Sequence, residues 1–98
     1  MKANFNELIN SETPILVDFY ADWCQPCKAM KPILEEVKSQ LEDNVRIIKI
    51  NVDTNEKLAN EYQIRSIPTL MIFKNQQELW KYSGVLDASS LVEIIKNI

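Results

Sequence analysis

The chain has 98 residues, of which 46% are hydrophobic and 26% charged, and these totals predict one compact domain, residues 1–98, with a modest core. The net charge of −3 gives no electrostatic basis for binding nucleic acid or an anionic membrane, because both partners need a basic protein face. No apolar run approaches the roughly 20 residues of a membrane span, and residues 1–7 are too polar for a signal peptide. We therefore expect a cytoplasmic protein that binds neither nucleic acid nor a membrane.

The chain begins with a predicted short helix and a predicted central strand. Asn4 to Asn10 has helical spacing of its apolar residues, with Asn4 as the cap and Glu7 three residues later. Ile15 to Tyr20 is continuously apolar apart from Asp18. Such a run suits a strand that is covered on both faces, so we expect it in the middle of a sheet.

A helix and a second strand follow. The helix is predicted from about Cys24 to Gln40, with a kink at Pro32, where one backbone donor is missing. Its apolar positions are Ala29, Met30, Ile33, Leu34, Val37 and Leu41. Val45 to Val52 alternates apolar residues and predicts a strand parallel to the first, because the helix serves as the crossover of a βαβ unit.

The second half of the chain predicts a helix and then a hairpin. Asp53 to Tyr62 is typical of a short helix, and Thr69 to Phe73 pairs with Leu79 to Ser83 as antiparallel strands. Asn75 can take a positive φ in the turn, but the glycine that usually follows it is absent, so we expect a longer or strained turn.

A capped helix ends the chain. Asp87 is its predicted N-cap, and the predicted buried stripe is Leu91, Val92, Ile94, Ile95 and Ile98. The fold class is therefore α/β, with a central mixed sheet of about four strands flanked by helices.

Both cysteines lie in the segment Trp23-Cys24-Gln25-Pro26-Cys27-Lys28, where the first strand hands over to the long helix. The first turn of a helix presents unpaired N–H groups and the positive end of the helix dipole, which favour the thiolate at Cys24. Cys27 is predicted to lie nearly one turn deeper and to be less open to solvent. This asymmetry makes Cys24 the attacking thiol and Cys27 the resolving thiol of a redox pair.

Other uses of the two cysteines are weaker. They could be small core residues, and a bridge closing so short a loop would stabilise by only about 2 kcal/mol in the chain-entropy model. A closed metal site within one chain is excluded, because zinc needs about four N or S ligands and the chain has two cysteines and no histidine. A metal site shared between two chains stays open.

Asp18 interrupts an otherwise apolar strand, and an unpaired buried carboxylate costs several kcal/mol unless it is protonated or finds partners. Because it precedes Cys24 by six positions, we expect it below the start of the returning helix, on the side of Cys27. We predict a raised pKa and a role as proton acceptor for Cys27 through water. The alternative is a solvated aspartate at a strand end.

The segment from Val17 to Lys28 resembles the active-site segment of the thioredoxin family, and Arg65-Ser66-Ile67-Pro68-Thr69 and Gly84 also match that family's pattern. The resemblance extends from about Phe5 to the last helix and implies the thioredoxin-like fold. The family's usual N-terminal strand is missing, which would leave Val45–Val52 as an open sheet edge. We expect a monomer, with dimerisation through that edge as a possibility to test.

The resemblance also implies roles for individual residues. It implies a cis bond between Ile67 and Pro68, where a simple turn is the alternative, and it assigns Lys49 to modulate Asp18, where a solvated strand lysine is the alternative. A client protein would dock against a surface made of Trp23, Gln25, Pro26, Ile67, Pro68, Gly84 and Val85. Trp23 could instead be a core residue, and Gly84 a plain strand-end turn.

The implied function is that of a thioredoxin-family dithiol reductase of client protein disulfides. The resemblance also implies that a thioredoxin reductase, which holds the flavin and uses NADPH, reduces this chain again after each cycle. The chain itself is then expected to bind no cofactor beyond its Cys24–Cys27 redox disulfide. The Gln25-Pro26 pair supplies no imidazole that would strongly stabilise the thiolate, and this favours a reductant. Gln25 stands where the family most often has glycine, a difference that bears on the reduction potential and the substrate preference. The alternatives are a binding module whose cysteine pair only gates docking, and a secreted oxidase or isomerase.

Overall fold

A four-stranded mixed sheet forms the centre of the computed structural model, which describes residues 4–98. The strands, in chain order, are β1 (Ile15–Tyr20), β2 (Arg46–Asn51), β3 (Thr69–Lys74) and β4 (Gln77–Ser83). The helices are α1 (Phe5–Leu8), α2 (Gln25–Leu41), α3 (Glu56–Glu61) and α4 (Ala88–Lys96). The predicted α/β class is confirmed.

The strand order across the sheet is β2-β1-β3-β4, so β1 is central. It pairs parallel with β2 and antiparallel with β3, while β3 and β4 form the predicted hairpin. The parallel pairing of β1 and β2 through α2 confirms the βαβ unit. Among residues 4–98 no strand pairs with the outer side of β2.

Side chains from the two faces of β1 belong to two separate apolar layers. Leu16 belongs to a cluster with α2 and α4, whereas Val17 and Phe19 belong to a cluster on the opposite face, with Phe5 and Tyr62 packed against it. Residues of β1 alternate between these layers because successive side chains of a strand point to opposite faces. Asp18 therefore shares the face of Leu16, which α2 covers.

Local hydrogen bonds set the bounds of the shorter elements. At α1 the Asn4 side chain accepts from the Glu7 backbone N–H at 2.9 Å, which confirms the predicted N-cap, and the Asn4 side-chain amide donates to the Glu7 carboxylate at 3.4 Å. The next short helix, α3, begins later than the predicted Asp53, because Asn51 captures that backbone N–H with its side-chain oxygen at 2.8 Å. The residues that follow β2 therefore form a turn.

The β3–β4 turn is a tight one that uses Asn75 and Gln76, with φ of 52° and 68°. Positive φ at both central residues is the geometry of a type I′ turn. Of the two expected alternatives, a longer turn is wrong and a strained turn is confirmed, because two residues other than glycine have positive φ. The backbone N–H groups of Asn75 and Gln76 donate to the carbonyls of Ser11 and Ile9 at 2.8 and 3.0 Å. Those bonds hold Gln76 in a conformation that glycine usually occupies.

The buried stripe of α4 is shorter than predicted. Leu91, Val92 and Ile95 are buried, but Ile98 lies beyond the end of the helix and is 36% exposed. Ile98 was therefore wrongly assigned to the core. Ala29 on α2 is likewise exposed.

The difference in burial between Ile95 and Ile98 yields a test of the packing. Ile95→Ala should lower the free energy of unfolding by about 2–5 kcal/mol, because it removes a buried side chain and leaves a cavity. The matched change Ile98→Ala should lower it by less than about 1 kcal/mol. Urea unfolding of both variants measures the difference, and equal losses would contradict the arrangement of α4.

Candidate active site

Cys24 occupies the N-cap of α2, directly after the loop that leaves β1. Its backbone is extended, with φ −86° and ψ 111°, and its Sγ accepts a hydrogen bond from the Cys27 backbone N–H at 3.2 Å. Pro26 lies in the first turn of α2, where the missing N–H removes no helical bond. An N–H donor aimed at the Cys24 sulfur stabilises negative charge there and favours the thiolate.

The two cysteines form a disulfide with their Cα atoms 5.3 Å apart. In this state Cys24 is 3% exposed and Cys27 is 7% exposed, so the prediction that Cys27 is less open to solvent was wrong. Both side chains belong to a small cluster with Ala21, against which Ile67 packs. The difference between the two sulfurs is thus one of position on the helix rather than of burial.

The loop before β3 lies against the redox pair. The Ile67–Pro68 peptide bond is cis, as the resemblance implies, and the Ile67 carbonyl oxygen lies 3.7 Å from Cys24 Sγ. The Gly84 N–H donates to the Pro68 carbonyl at 2.8 Å, so the end of β4 is fixed to this loop. Gly84 has a φ of 127°, which a residue with a Cβ rarely adopts.

Trp23 lies on the surface beside the redox pair. Its side chain is 68% exposed, which makes a core role wrong, and its Nε1–H donates to the Asp53 carboxylate at 2.9 Å. Asp53 was not predicted as a site residue. It could have been found, because Trp23 follows β1 and Asp53 follows β2, and the carboxyl ends of parallel strands meet at one edge.

The remaining docking residues differ in what they present. Gln25 and Pro26 are exposed beside the cysteines, whereas Pro68 is buried and its carbonyl already accepts from the Gly84 N–H. Ile67 and Trp23 together line a surface cavity of about 300 Å³. Val85, 40% exposed, lies in the loop after β4, and its place on the docking surface stays a prediction.

Asp18 lies in the centre of β1 and is only 1% exposed, so the reading as a solvated strand-end residue is wrong. Its Oδ1 has no hydrogen-bond partner within residues 4–98. Burial raises the pKa of Asp18 to about 6, and the positive charge of Lys49 opposes that shift. A carboxyl group with this pKa can gain and lose a proton near neutral pH.

Lys49 lies opposite Asp18 in the parallel register of β1 and β2. Its side chain is exposed, and its Nζ lies 4.7 Å from the centre of the Tyr20 ring. A cation at this position faces the same side of the sheet as Asp18. The geometry therefore agrees with an electrostatic influence of Lys49 on the buried acid.

Two kinds of feature are absent from residues 4–98. No group of three or more His, Cys, Asp or Glu side chains is placed to hold a metal ion. None of the helices in this part of the chain combines the length and the apolar character that crossing a bilayer requires.

Comparisons with known proteins point in one direction. The family model described as Thioredoxin matches residues 1–97. A thioredoxin of Rickettsia bellii is 44% identical over 96 residues, covering 98% of this chain and 91% of that protein.

Solved structures agree with the family match. A mutant thioredoxin from Halobacterium salinarum superposes with a TM-score of 0.87 at 30% identity, covering 99% of this chain and 84% of that one. A second structure comes from work on thiol resolution in yeast mitochondrial 1-Cys peroxiredoxin by the glutathione and thioredoxin systems. It superposes with a TM-score of 0.85 at 32% identity, covering 96% of this chain and 87% of that one.

The raised pKa of Asp18 makes stability depend on pH in a defined direction. Ionising this acid is harder in the folded than in the unfolded chain, so stability falls as pH rises from the ordinary pKa of 3.8 to about 6. Asp18→Asn should therefore stabilise the oxidised protein by about 2–3 kcal/mol near neutral pH and by little below about pH 4. Urea unfolding at both pH values measures the gain.

The control for this experiment is Asp43→Asn, which removes a carboxylate at an exposed position. It should change stability by less than about 0.5 kcal/mol at either pH. An equal gain from Asp18→Asn at both pH values would show that ionisation of the buried acid is not the cause.

Proposed function

Because this chain belongs to the thioredoxin family and is a protein-disulfide reductase of that family, we propose that Cys24 is its attacking thiol and Cys27 its resolving thiol. The proposal rests on the position of Cys24 at the N-cap of α2, where the Cys27 N–H points at its sulfur. That hydrogen bond and the helix dipole both favour a thiolate at neutral pH.

In the first step, the reduced Cys24 thiolate attacks one sulfur of a client disulfide. A bond forms between Cys24 Sγ and that sulfur, and the client's disulfide bond breaks, so its second sulfur leaves as a thiolate. In the second step, Cys27 attacks Cys24 Sγ and the mixed disulfide breaks. The client leaves as a dithiol, reduced by two electrons. This chain has lost those two electrons and holds the Cys24–Cys27 disulfide.

Asp18 is proposed to accept the proton that Cys27 loses before the second step. It shares the sheet face that α2 covers, it has a free carboxylate oxygen within the described residues, and its pKa near 6 leaves it ionised at neutral pH. The proton passes through water in this proposal. Lys49 keeps the pKa of Asp18 from rising further, because its positive charge favours the carboxylate.

Client docking is proposed on the surface around Cys24. The Ile67 backbone beside the sulfur is suited to pair with an extended client segment, and Trp23 supplies exposed apolar area that Asp53 holds in place. The other proposed members of this surface are Gln25, Pro26, Pro68, Gly84 and Val85.

The proposed reaction cycle needs an external reductant. We propose that a thioredoxin reductase with flavin and NADPH supplies it, that this chain binds no cofactor, and that it works as a single domain in the cytoplasm. A monomer is favoured over a dimer through Val45–Val52, because β2 carries two cations, Arg46 and Lys49, and no acid. Two copies paired there would put four cations and no acid on the two joined strands, so no ion pair would form between them.

Trapping of the mixed disulfide tests the roles of the two cysteines. Reduced Cys27→Ser should accumulate a covalent complex with insulin, because the attacking thiol is present and the resolving thiol is absent. Cys24→Ser is the matched control and should trap at least about tenfold less. Mass spectrometry under non-reducing conditions counts the complex.

Catalytic turnover of insulin separates a reductase from a binding module. The unsubstituted chain should turn over insulin disulfides with dithiothreitol as reductant, whereas a module whose cysteines only gate docking would bind without turnover. Equal trapping by the two serine variants would contradict the division of roles.

The proton-acceptor role of Asp18 predicts a change in kinetics. The rate at which Cys27 resolves a preformed mixed disulfide should rise through pH 6 in the unsubstituted chain, because Asp18 becomes ionised there. Asp18→Asn should lower that rate by about 10²-fold near neutral pH and remove the inflection. Stopped-flow measurement of client release gives the profile, and an unchanged profile would refute the role.

A further inference from the structure

Within the described part of the chain, the outer side of β2 has no strand beside it. The N–H groups of Arg46 and Val52 bond to the β1 side, and the direction of backbone groups alternates along a strand. The N–H and C=O groups of Ile47 and Lys49 therefore point away from β1. Within residues 4–98 no hydrogen bond to these outward groups is present.

The two ends of this edge are closed by side chains. The carbonyl of Val45 accepts from Lys38 Nζ at 2.7 Å, and the carbonyl of Asn51 accepts from Asn55 Nδ2 at 2.9 Å. The open stretch thus has a defined length and lies in the middle of the strand. An edge of this kind is a template for a further strand.

A groove runs beside the open stretch, between β2 and α2. It consists of two adjoining cavities of about 260 and 180 Å³, and both are lined by Lys31 and Lys49. The larger cavity has Leu34 and Ile47 in its lining, and the smaller one reaches Cys27. The groove therefore connects the strand edge with the redox pair.

The charge of the groove is opposite to that of the whole chain. Four lysines line it, against two acidic residues, Asp22 and Glu35, although the net charge of the protein is −3. The lysines are Lys28, Lys31, Lys38 and Lys49. A ligand for this surface should therefore be negatively charged.

We propose that an extended, acidic segment of a partner protein adds to β2 as a further strand and lays its acidic side chains in this groove. Its backbone pairs with Ile47 and Lys49, and its glutamates or aspartates face Lys31 and Lys49. A second copy of this chain fits less well, because its β2 carries cations and has no acidic side chain to place beside Lys31 and Lys49. The segment needs no cysteine, so this binding does not depend on disulfide exchange.

Direct binding to the oxidised protein tests the proposal. The probe is a synthetic peptide of about eight residues, an ordinary strand length, in which glutamate and valine alternate and no cysteine occurs. In spectra of the isotope-labelled protein, the amides of Ile47 and Lys49 should shift most and become protected from exchange. A peptide with lysine in place of each glutamate should not bind.

A backbone-modified peptide separates strand addition from charge attraction alone. Methylating every second peptide nitrogen, in each of the two possible phases, removes donors but keeps the charges. One phase should lose at least about tenfold in affinity, because its methyl groups face β2. Equal binding by the unmodified peptide and both methylated peptides would refute strand addition.

A matched pair of protein variants tests the groove. Lys31→Gln should weaken peptide binding by about two- to fivefold, the effect of losing one exposed ion pair. Lys57→Gln, on α3 outside the groove, makes the same charge change and should leave binding unchanged. Equal weakening by both variants, or a concentration-dependent dimer that protects the same β2 amides without peptide, would overturn the proposal.

Discussion

The hydrogen bond from the Cys27 N–H to the Cys24 sulfur is the interaction on which the chemistry of this protein depends. It exists only because Cys24 is the last residue before α2 and not a member of the helix. One residue further along, the sulfur would project from the helix side and lose both this donor and the favourable end of the dipole. The reactive sulfur is therefore a property of where a helix begins, which in turn depends on where β1 ends.

The topology of the sheet explains why the other site residues converge on that point. β1 and β2 are parallel, so Trp23 and Asp53, which follow them, lie at the same edge. β3 runs antiparallel to β1, so the loop that precedes it comes to the same edge, and the end of β4 comes with it. Ile67 and Gly84 are thus delivered to the redox pair by strand direction alone.

Much of the molecule was predictable because its signals are local. The N-cap at Asn4, the N-cap at Asp87 and the buried acid at Asp18 each follow from neighbouring residues in the chain. The errors arose where tertiary contacts decide: Ile98 fits the helical stripe, but the helix ends before it, and the tight turn at Gln76 is held by the carbonyl of Ile9. The Trp23–Asp53 bond follows from the parallel pairing of β1 and β2, which the sequence predicted, but not from any pattern local to either residue.

The buried carboxyl of Asp18 has a further consequence. It lies on the face of β1 that α2 covers, and ionising it there lowers the stability of the fold near neutral pH. Selection of random variants for heat resistance alone would therefore tend to discard this acid. With the proposed role of Asp18 as proton acceptor, activity and stability place opposite demands on this one position.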